Sequence, residues 1–157
     1  MSGEQPEALV LRLAEAKATK VSEFEPAALI IGSDQVAILQ NKILGKPGNY
    51  ESAFRQLSEM SGHNVRFFTG LCLLNAINEK KQLACIPNDV QFRQLSAAEI
   101  ERYLIREEPY QCAGSFKSEA FGITLIEKID GPDPTALIGL PLIKLSEMLR
   151  NEKYYLP

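Results

Sequence analysis

Between Pro6 and Val21 the apolar residues fall on one side of a helical wheel, with Val10, Leu13, Ala14 and Val21 sharing a stripe. Pro6 suits the first turn, where its missing N–H leaves no hydrogen bond unmade. Lys17 stands three residues after Ala14 and four before Val21, so its spacing puts it on that stripe rather than on the solvent face. Two outcomes follow from such a position. The side chain snorkels to the rim, or its stem lies along the core and the ammonium emerges in a cleft as a fixed positive charge for a phosphate. Arg12 and Lys20 read as ordinary solvated charges.

The rhythm changes at Ala28. Ala28 to Ile31 is a continuous apolar run, which predicts a strand buried on both faces. The run gives way abruptly to Gly32-Ser33-Asp34-Gln35-Val36. Strands of that kind belong to α/β sheets, which place ligands beyond the carboxyl ends of their strands. An Asp34 at such an end can hold a metal or accept a proton from water, chemistry suited to attack on a phosphate. The alternative is an aspartate that caps the turn after the strand.

Further along, Val36–Leu44 predicts a hairpin that turns near Gln40-Asn41-Lys42. Asn49 is placed to cap a helix running to Met60, and Gly62 to end it. Val65–Leu74 and Gln82–Phe92 are β-rich and flank a polar turn at Asn78-Glu79-Lys80. Ser96-Ala97-Ala98-Glu99 forms a capping box ahead of a helix carrying Ile100, Tyr103 and Leu104, with Pro109 beyond its end. Gly122–Ile129 predicts a strand, broken by Gly131-Pro132-Asp133-Pro134. Pro141 opens a last helix whose buried side is Leu142, Leu145, Met148 and Leu149. Helices interspersed with strands predict an α/β fold with a mixed sheet flanked by helices.

Composition narrows the function. With 157 residues, 45% of them hydrophobic, the chain is expected to form one domain with a full core. A formal charge of −3 without a basic run argues against broad nucleic-acid binding. Neither a membrane span nor a signal peptide is expected. Cys72, Cys85 and Cys112 are odd in number and lack CxxC spacing, and His63 is the single histidine, so a Cys/His zinc site is not expected. Reduced, buried cysteines in a cytoplasmic protein are the economical reading. No Walker loop, dinucleotide fingerprint or nucleophile elbow is present.

Several short motifs remain, each weak alone. They are Gly32-Ser33-Asp34-Gln35-Val36, Gly45-Lys46-Pro47, Ser61-Gly62-His63 with Thr69-Gly70, Ala113-Gly114-Ser115-Phe116-Lys117-Ser118-Glu119, and Gly139-Leu140-Pro141. His63, beside a helix-ending glycine, reads as a local hydrogen-bonding residue rather than a general base. In this order, from about Glu7 to Leu149, the motifs resemble the Maf-like proteins. That resemblance implies a mixed twisted sheet flanked by helices, related to the inosine triphosphate pyrophosphatases. It implies a cytoplasmic enzyme that uses a divalent metal, magnesium or manganese, to cut a nucleoside triphosphate between its α- and β-phosphates. Gln35 after the aspartate, and Ser-Phe-Lys-Ser-Glu at Ser115–Glu119, resemble the branch acting on 7-methyl-GTP. The partner implied is a modified nucleoside triphosphate, with no nucleic acid and no membrane, and homodimerisation is left open.

The resemblance also implies roles. Asp34 is the proton acceptor and metal ligand, Lys17 and Lys46 contact the phosphates, and Gln35 and Glu119 take part in base selection. A 7-methylguanine ring is cationic and presents N1–H and N2–H donors, so a carboxylate at Glu119 suits it by charge and by hydrogen bonding. The family further opens with a strand leading into Ser-x-Ser-Pro-Arg-Arg and has a later Asp-Glu pair ahead of the first matched helix, and neither occurs in this chain. Residues 1–157 are therefore expected to form a single Maf-like domain missing the first strand, either truncated at the N-terminus or degenerate. A second function class stays open beside the pyrophosphatase: a non-catalytic nucleotide-binding or interaction protein that retains the fold.

Overall fold

Seventeen residues with Pro6 at the N-terminus form the first helix, α1 (Pro6–Ser22), which buries Val10, Ala14 and Ala18 on one stripe. The computed structural model describes residues 4–157, so Met1-Ser2-Gly3, where the expected truncation falls, lie outside the described residues. After α1 come β1 (Leu29–Leu39), β2 (Lys42–Leu44), α2 (Tyr50–Met60), β3 (Asn64–Asn75), β4 (Lys80–Phe92), α3 (Ala97–Glu107), β5 (Ile126–Asp130) and α4 (Leu142–Asn151). Short 3-10 turns occupy Ala113–Ser115, Phe121–Leu125 and Pro134–Ile138. The strands form one sheet in the order β2-β1-β3-β4-β5, giving the expected α/β class.

The chain divides into two compact units. The first takes the described residues up to Gln35, together with Phe68–Pro87 and Pro132–Pro157. Here alternation along the strands decides what each residue meets. On one side Ile30, Cys72 and Leu74 pack against Ala14 and Ala18 of α1. On the other, Leu71 and Leu73 pack against Leu145 and Met148 of α4, with Leu29 partly buried beside them. β3 is thus covered on both sides, whereas β1 is not: Ile31 is 44% exposed, contrary to the expectation of a strand buried on both faces.

Gly32 and Gly70 set how closely α1 can approach. A Cβ on Gly32 would lie 2.1 Å from the carbonyl oxygen of Ala14, and one on Gly70 would lie 2.3 Å from that of Val10. Only a hydrogen fits at either position. The stripe differs from the expected one in a related way. Ala18 is buried while Val21 is 46% exposed, because the small residues Ala14 and Ala18 are what let the helix backbone reach the strands.

The second unit comprises Val36–Phe67 and Asn88–Gly131. β1 and β2 pair antiparallel here, Ala37 with Leu44 and Leu39 with Lys42, and the turn places Gln40 and Asn41 at positive φ as a two-residue hairpin requires. Asn49 caps α2 by accepting from the Ser52 N–H at 2.9 Å. Ser96 and Glu99 make the expected reciprocal capping box on α3. Phe116 is driven into the core, its ring centroid 5.7 Å from that of Phe67 and 5.2 Å from that of Phe92. The expected strand from Gly122 starts only at Ile126, where β5 pairs antiparallel with β4. The preceding residues coil into a 3-10 turn instead: Thr124 Oγ1 donates to the Phe121 carbonyl at 2.7 Å, and a Cβ on Gly122 would lie 2.2 Å from the Lys117 carbonyl oxygen.

The start of α4 corrects another expectation. Leu142 is 48% exposed rather than part of the buried side, which Leu145 and Met148 supply. The buried Asp133 explains how the helix is held. One of its carboxylate oxygens accepts from the Thr135 N–H at 3.0 Å and the other from the Ile143 N–H at 2.8 Å, while Thr135 Oγ1 accepts from the Leu142 N–H at 2.9 Å. Two unpaired N–H groups of the first turn are thus satisfied from a distant turn.

Two outcomes test this account. Gly32→Ala forces a methyl group into the α1 backbone, and the fold should lose about 1–3 kcal/mol, the scale of core overpacking. Gly45→Ala, which meets nothing within 4 Å, should leave the urea midpoint unchanged. The second concerns acid. Hydrogen bonds from the Ser96 backbone, the Ser96 hydroxyl and Arg93 hold the Glu99 carboxyl at about 2, below its ordinary 4.5. A depressed carboxyl contributes stability that is present above pH 4.5 and is lost as pH falls toward 2. Replacing Glu99 by Gln should flatten the pH dependence of the thermal midpoint across that window.

Candidate active site

Asp34 lies in the middle of the eleven-residue β1, not at a strand end as its sequence context predicted. Gly32, Ser33, Asp34 and Gln35 are weak strand formers, and their run looks like a stop. Each is nevertheless held in the strand by a partner of its own. Even-numbered residues face α1, so Ile30 and Gly32 meet the helix and Asp34 continues the same row. Lys17, one residue before the buried Ala18, runs along the edge of α1 to that row. Its Nζ donates to Asp34 Oδ1 at 2.6 Å and to the Ser33 carbonyl at 2.8 Å.

The pair is asymmetric in its exposure. The Lys17 side chain is 56% exposed and that of Asp34 20%. Of the two readings open for Lys17, the structure has the side chain reach out at the rim, where its ammonium is fixed at a carboxylate. One Asp34 oxygen is engaged by the ammonium, and the other accepts no hydrogen bond among the described residues.

Odd-numbered residues of β1 face the other way. Ser33 Oγ reaches the Gly70 and Gly139 carbonyls at 2.8 and 2.7 Å. Gln35 Nε2 donates to Thr69 Oγ1 at 2.9 Å and to the Ala136 carbonyl at 2.8 Å. Thr69 Oγ1 itself donates to the Ala136 carbonyl at 3.0 Å, so it can only accept from Gln35. The network therefore fixes which way the Gln35 amide points and leaves its Oε1 as the acceptor. Ser33 and Thr69 were legible as motif members, but nothing in their spacing announced that they lock the strand and the amide.

Lys46 and Glu119 belong to the second unit. The loop carrying Lys46 is tied to α2 by Gln56, whose Nε2 donates to the Gly45 carbonyl at 3.1 Å. Gln56 Oε1 in turn accepts from Ser115 Oγ at 2.7 Å, so Gln56 joins the Gly-Lys-Pro loop to the Gly-Ser-Phe-Lys-Ser-Glu loop. Sequence spacing carried no signal for this link. Tyr103 reinforces it, its hydroxyl donating to the Ser115 carbonyl at 3.1 Å and accepting from the Lys117 N–H at 3.0 Å. Burial pushes the Tyr103 phenol above its ordinary range, so it stays protonated and able to donate.

Lys117 is held within its own unit. Its ammonium is taken by the Glu107 carbonyl, at the end of α3 where a cation is favoured. Lys46 and Glu119 are both exposed. Burial raises the Cys112 thiol above its ordinary range, while the charge of Lys117 opposes the rise, that of Glu119 adds to it and that of Lys46 opposes it. The structure thus pairs Lys17 with Asp34, next to Gln35 in the first unit, and places Lys46 and Glu119 in the second, on loops that Gln56 links. His63 keeps the local role expected for it, its Nδ1 lying 2.9 Å from the Ser61 carbonyl oxygen.

Comparison with known proteins bears on this arrangement. The chain matches the family described as "Maf-like protein" over residues 1–152. It is 55% identical over 151 residues to a protein of Nitrosococcus oceani named 7-methyl-GTP pyrophosphatase, an alignment covering 96% of this chain and 76% of the relative. A protein of the same name from Alcanivorax borkumensis is 54% identical over 154 residues, covering 98% of this chain and 78% of the relative. A third, from Methylobacillus flagellatus, is 53% identical over 150 residues, covering 96% and 78%. With its motifs in order, a match over nearly its whole length and more than half its residues shared with each of these relatives, the chain belongs to the Maf-like family.

Proposed function

We propose that this chain is a cytoplasmic nucleoside triphosphate pyrophosphatase that converts 7-methyl-GTP to 7-methyl-GMP and pyrophosphate. The observation that carries the reading is the Lys17–Asp34 pair, one carboxylate oxygen held at 2.6 Å and the other open, in a chain 53–55% identical to proteins of that name. Asp34 is the proton acceptor. Its open oxygen takes a proton from water as the water oxygen bonds to the α-phosphorus, and the bond from that phosphorus to the α,β-bridging oxygen breaks. The bridging oxygen leaves with the pyrophosphate. Lys17 fixes the carboxylate and presents positive charge where the phosphate's negative charge grows, and Lys46 adds a second such charge.

The residues present fit a divalent cation of the magnesium type. Such an ion is commonly held by one or two carboxylates, with substrate phosphates and water completing its shell, and Asp34 would offer it a further lone pair beside the one that receives the proton. When bound, the ion would supply charge neutralisation at the phosphates. Asp34 is the residue of this chain that would hold it.

Base selection is assigned to Gln35 and Glu119. Gln35, its amide nitrogen already spent on Thr69 and Ala136, offers only an acceptor. Guanine presents N–H donors at N1 and N2, so an acceptor and an exposed carboxylate are complementary to it. The positive charge of the 7-methylated ring favours Glu119 further.

Asp34→Asn should lower pyrophosphate release from 7-methyl-GTP by about 10²-fold or more, the scale of a lost general base. Unchanged turnover in a folded Asn variant would remove Asp34 from the reaction, whereas no turnover in the unsubstituted chain would favour the non-catalytic binding-protein alternative. Selectivity separates the second unit's residues. Glu119→Gln should shrink the kcat/KM ratio of 7-methyl-GTP over UTP, whereas Lys46→Ala should lower both substrates about equally. An unaltered ratio in the Glu119 variant would remove the base-selection role.

A further inference from the structure

The second unit contains a cavity of ≈620 Å³ between α3 and the Phe121–Leu125 turn, and none of the residues assigned above lines it. Small-molecule pockets typically enclose about 300–1,000 Å³. Its charge opposes that of the chain. Three arginines, Arg93, Arg102 and Arg106, line it against one carboxylate, Glu99, on a protein of net charge −3.

The three guanidinium groups are not equivalent. Arg93 is spent within the fold, donating to the Thr124 carbonyl at 2.9 Å and to Glu99 at 3.0 Å. Arg106 lies over Phe121, its guanidinium carbon 3.7 Å from the ring centroid, and the residue is otherwise exposed, so a second ring can approach it from the side away from Phe121. Arg102, one turn earlier on the same face of α3, is exposed and has no hydrogen-bond partner among the described residues. Apolar surface stands beside these charges: Ile105 is 73% exposed and Phe121 43%.

Folding accounts for Arg93 and for one face of Arg106. It does not account for an unpaired guanidinium and an open stacking plane facing one apolar-lined hollow. A guanidinium fork recognises phosphate, and a stacked Arg–Phe pair recognises a planar ring. We propose that this cavity is a second nucleotide site that binds a nucleoside monophosphate. The phosphate lies on Arg102 and the base on the open face of Arg106, above Ile105 and Leu125.

The chain contains no tryptophan, so Phe121→Trp introduces a single indole at the cavity. Titrating the full chain carrying that substitution with GMP should quench its fluorescence saturably. Adding Arg102→Ala, at an exposed position whose truncation leaves the packing intact, should raise the Kd about tenfold, the loss of one charge-assisted phosphate contact. Guanosine should bind about tenfold more weakly than GMP for the same reason. Inorganic phosphate should compete with GMP without quenching.

The unsubstituted chain provides the second readout. On adding GMP, backbone amide shifts should move at residue 93, across residues 99–106 and across 121–125, the stretches that line the cavity. No saturable quenching below about 5 mM, a binding free energy too weak to count as a site, would overturn the proposal, as would an unchanged Kd in the Arg102→Ala protein. Amide shifts absent from residues 99–106 and 121–125, or confined to the loop at 113–119, would overturn it equally. Phosphate that binds as tightly as GMP would mean the ring is not recognised, and would refute the nucleotide assignment.

Discussion

The first unit depends on how closely α1 can lie against the strands. Two glycines, Gly32 and Gly70, present no side chain beneath the helix, and two alanines, Ala14 and Ala18, present almost none above them. That contact brings the edge of α1 near enough for Lys17 to reach Asp34 and the Ser33 carbonyl together. A longer side chain at any of the four positions would lift the helix and carry the ammonium away from the carboxylate. The Lys17–Asp34 contact therefore rests on a packing constraint between backbones, set by residues that carry no charge themselves.

The second unit uses a different device. Its loops are fixed by groups reaching out from buried elements: Phe116 anchored between Phe67 and Phe92, the Tyr103 hydroxyl on two backbone groups, and Gln56 joining two loops. Exposed charges such as Lys46 and Glu119 then sit on loops whose backbones are held from within. An exposed side chain on a fixed backbone keeps its reach while losing little freedom before a ligand arrives, which reduces the ordering cost of binding.

Much of this was legible in the chain. The capping box at Ser96–Glu99, the Asn49 cap and the turn at Gln40-Asn41 follow from local chemistry, and the structure keeps all three. Where local chemistry misled, a tertiary partner had overridden it. Gly32 to Gln35 look like the end of a strand, yet α1, the Gly70 and Gly139 carbonyls, Lys17 and Thr69 each hold one of them in place. Gly122 to Leu125 look like a strand, yet close contact with Lys117 curls them into a turn. Asp133, read as part of a chain break, is the cap of a helix ten residues away. The candidate residues were found by type and motif order. Their grouping into two sets depends on long-range contacts that spacing does not encode.

The central claim is that Lys17 and Asp34 act as one device, the lysine holding the carboxylate that receives the proton. A double-mutant cycle on kcat/KM for pyrophosphate release from 7-methyl-GTP, with Lys17→Ala, Asp34→Ala and the two together, tests it most directly. Residues that work as a unit give strongly non-additive losses, so the double variant should fall little below Asp34→Ala alone. Losses that simply multiply would show the two side chains acting independently, and would contradict the account.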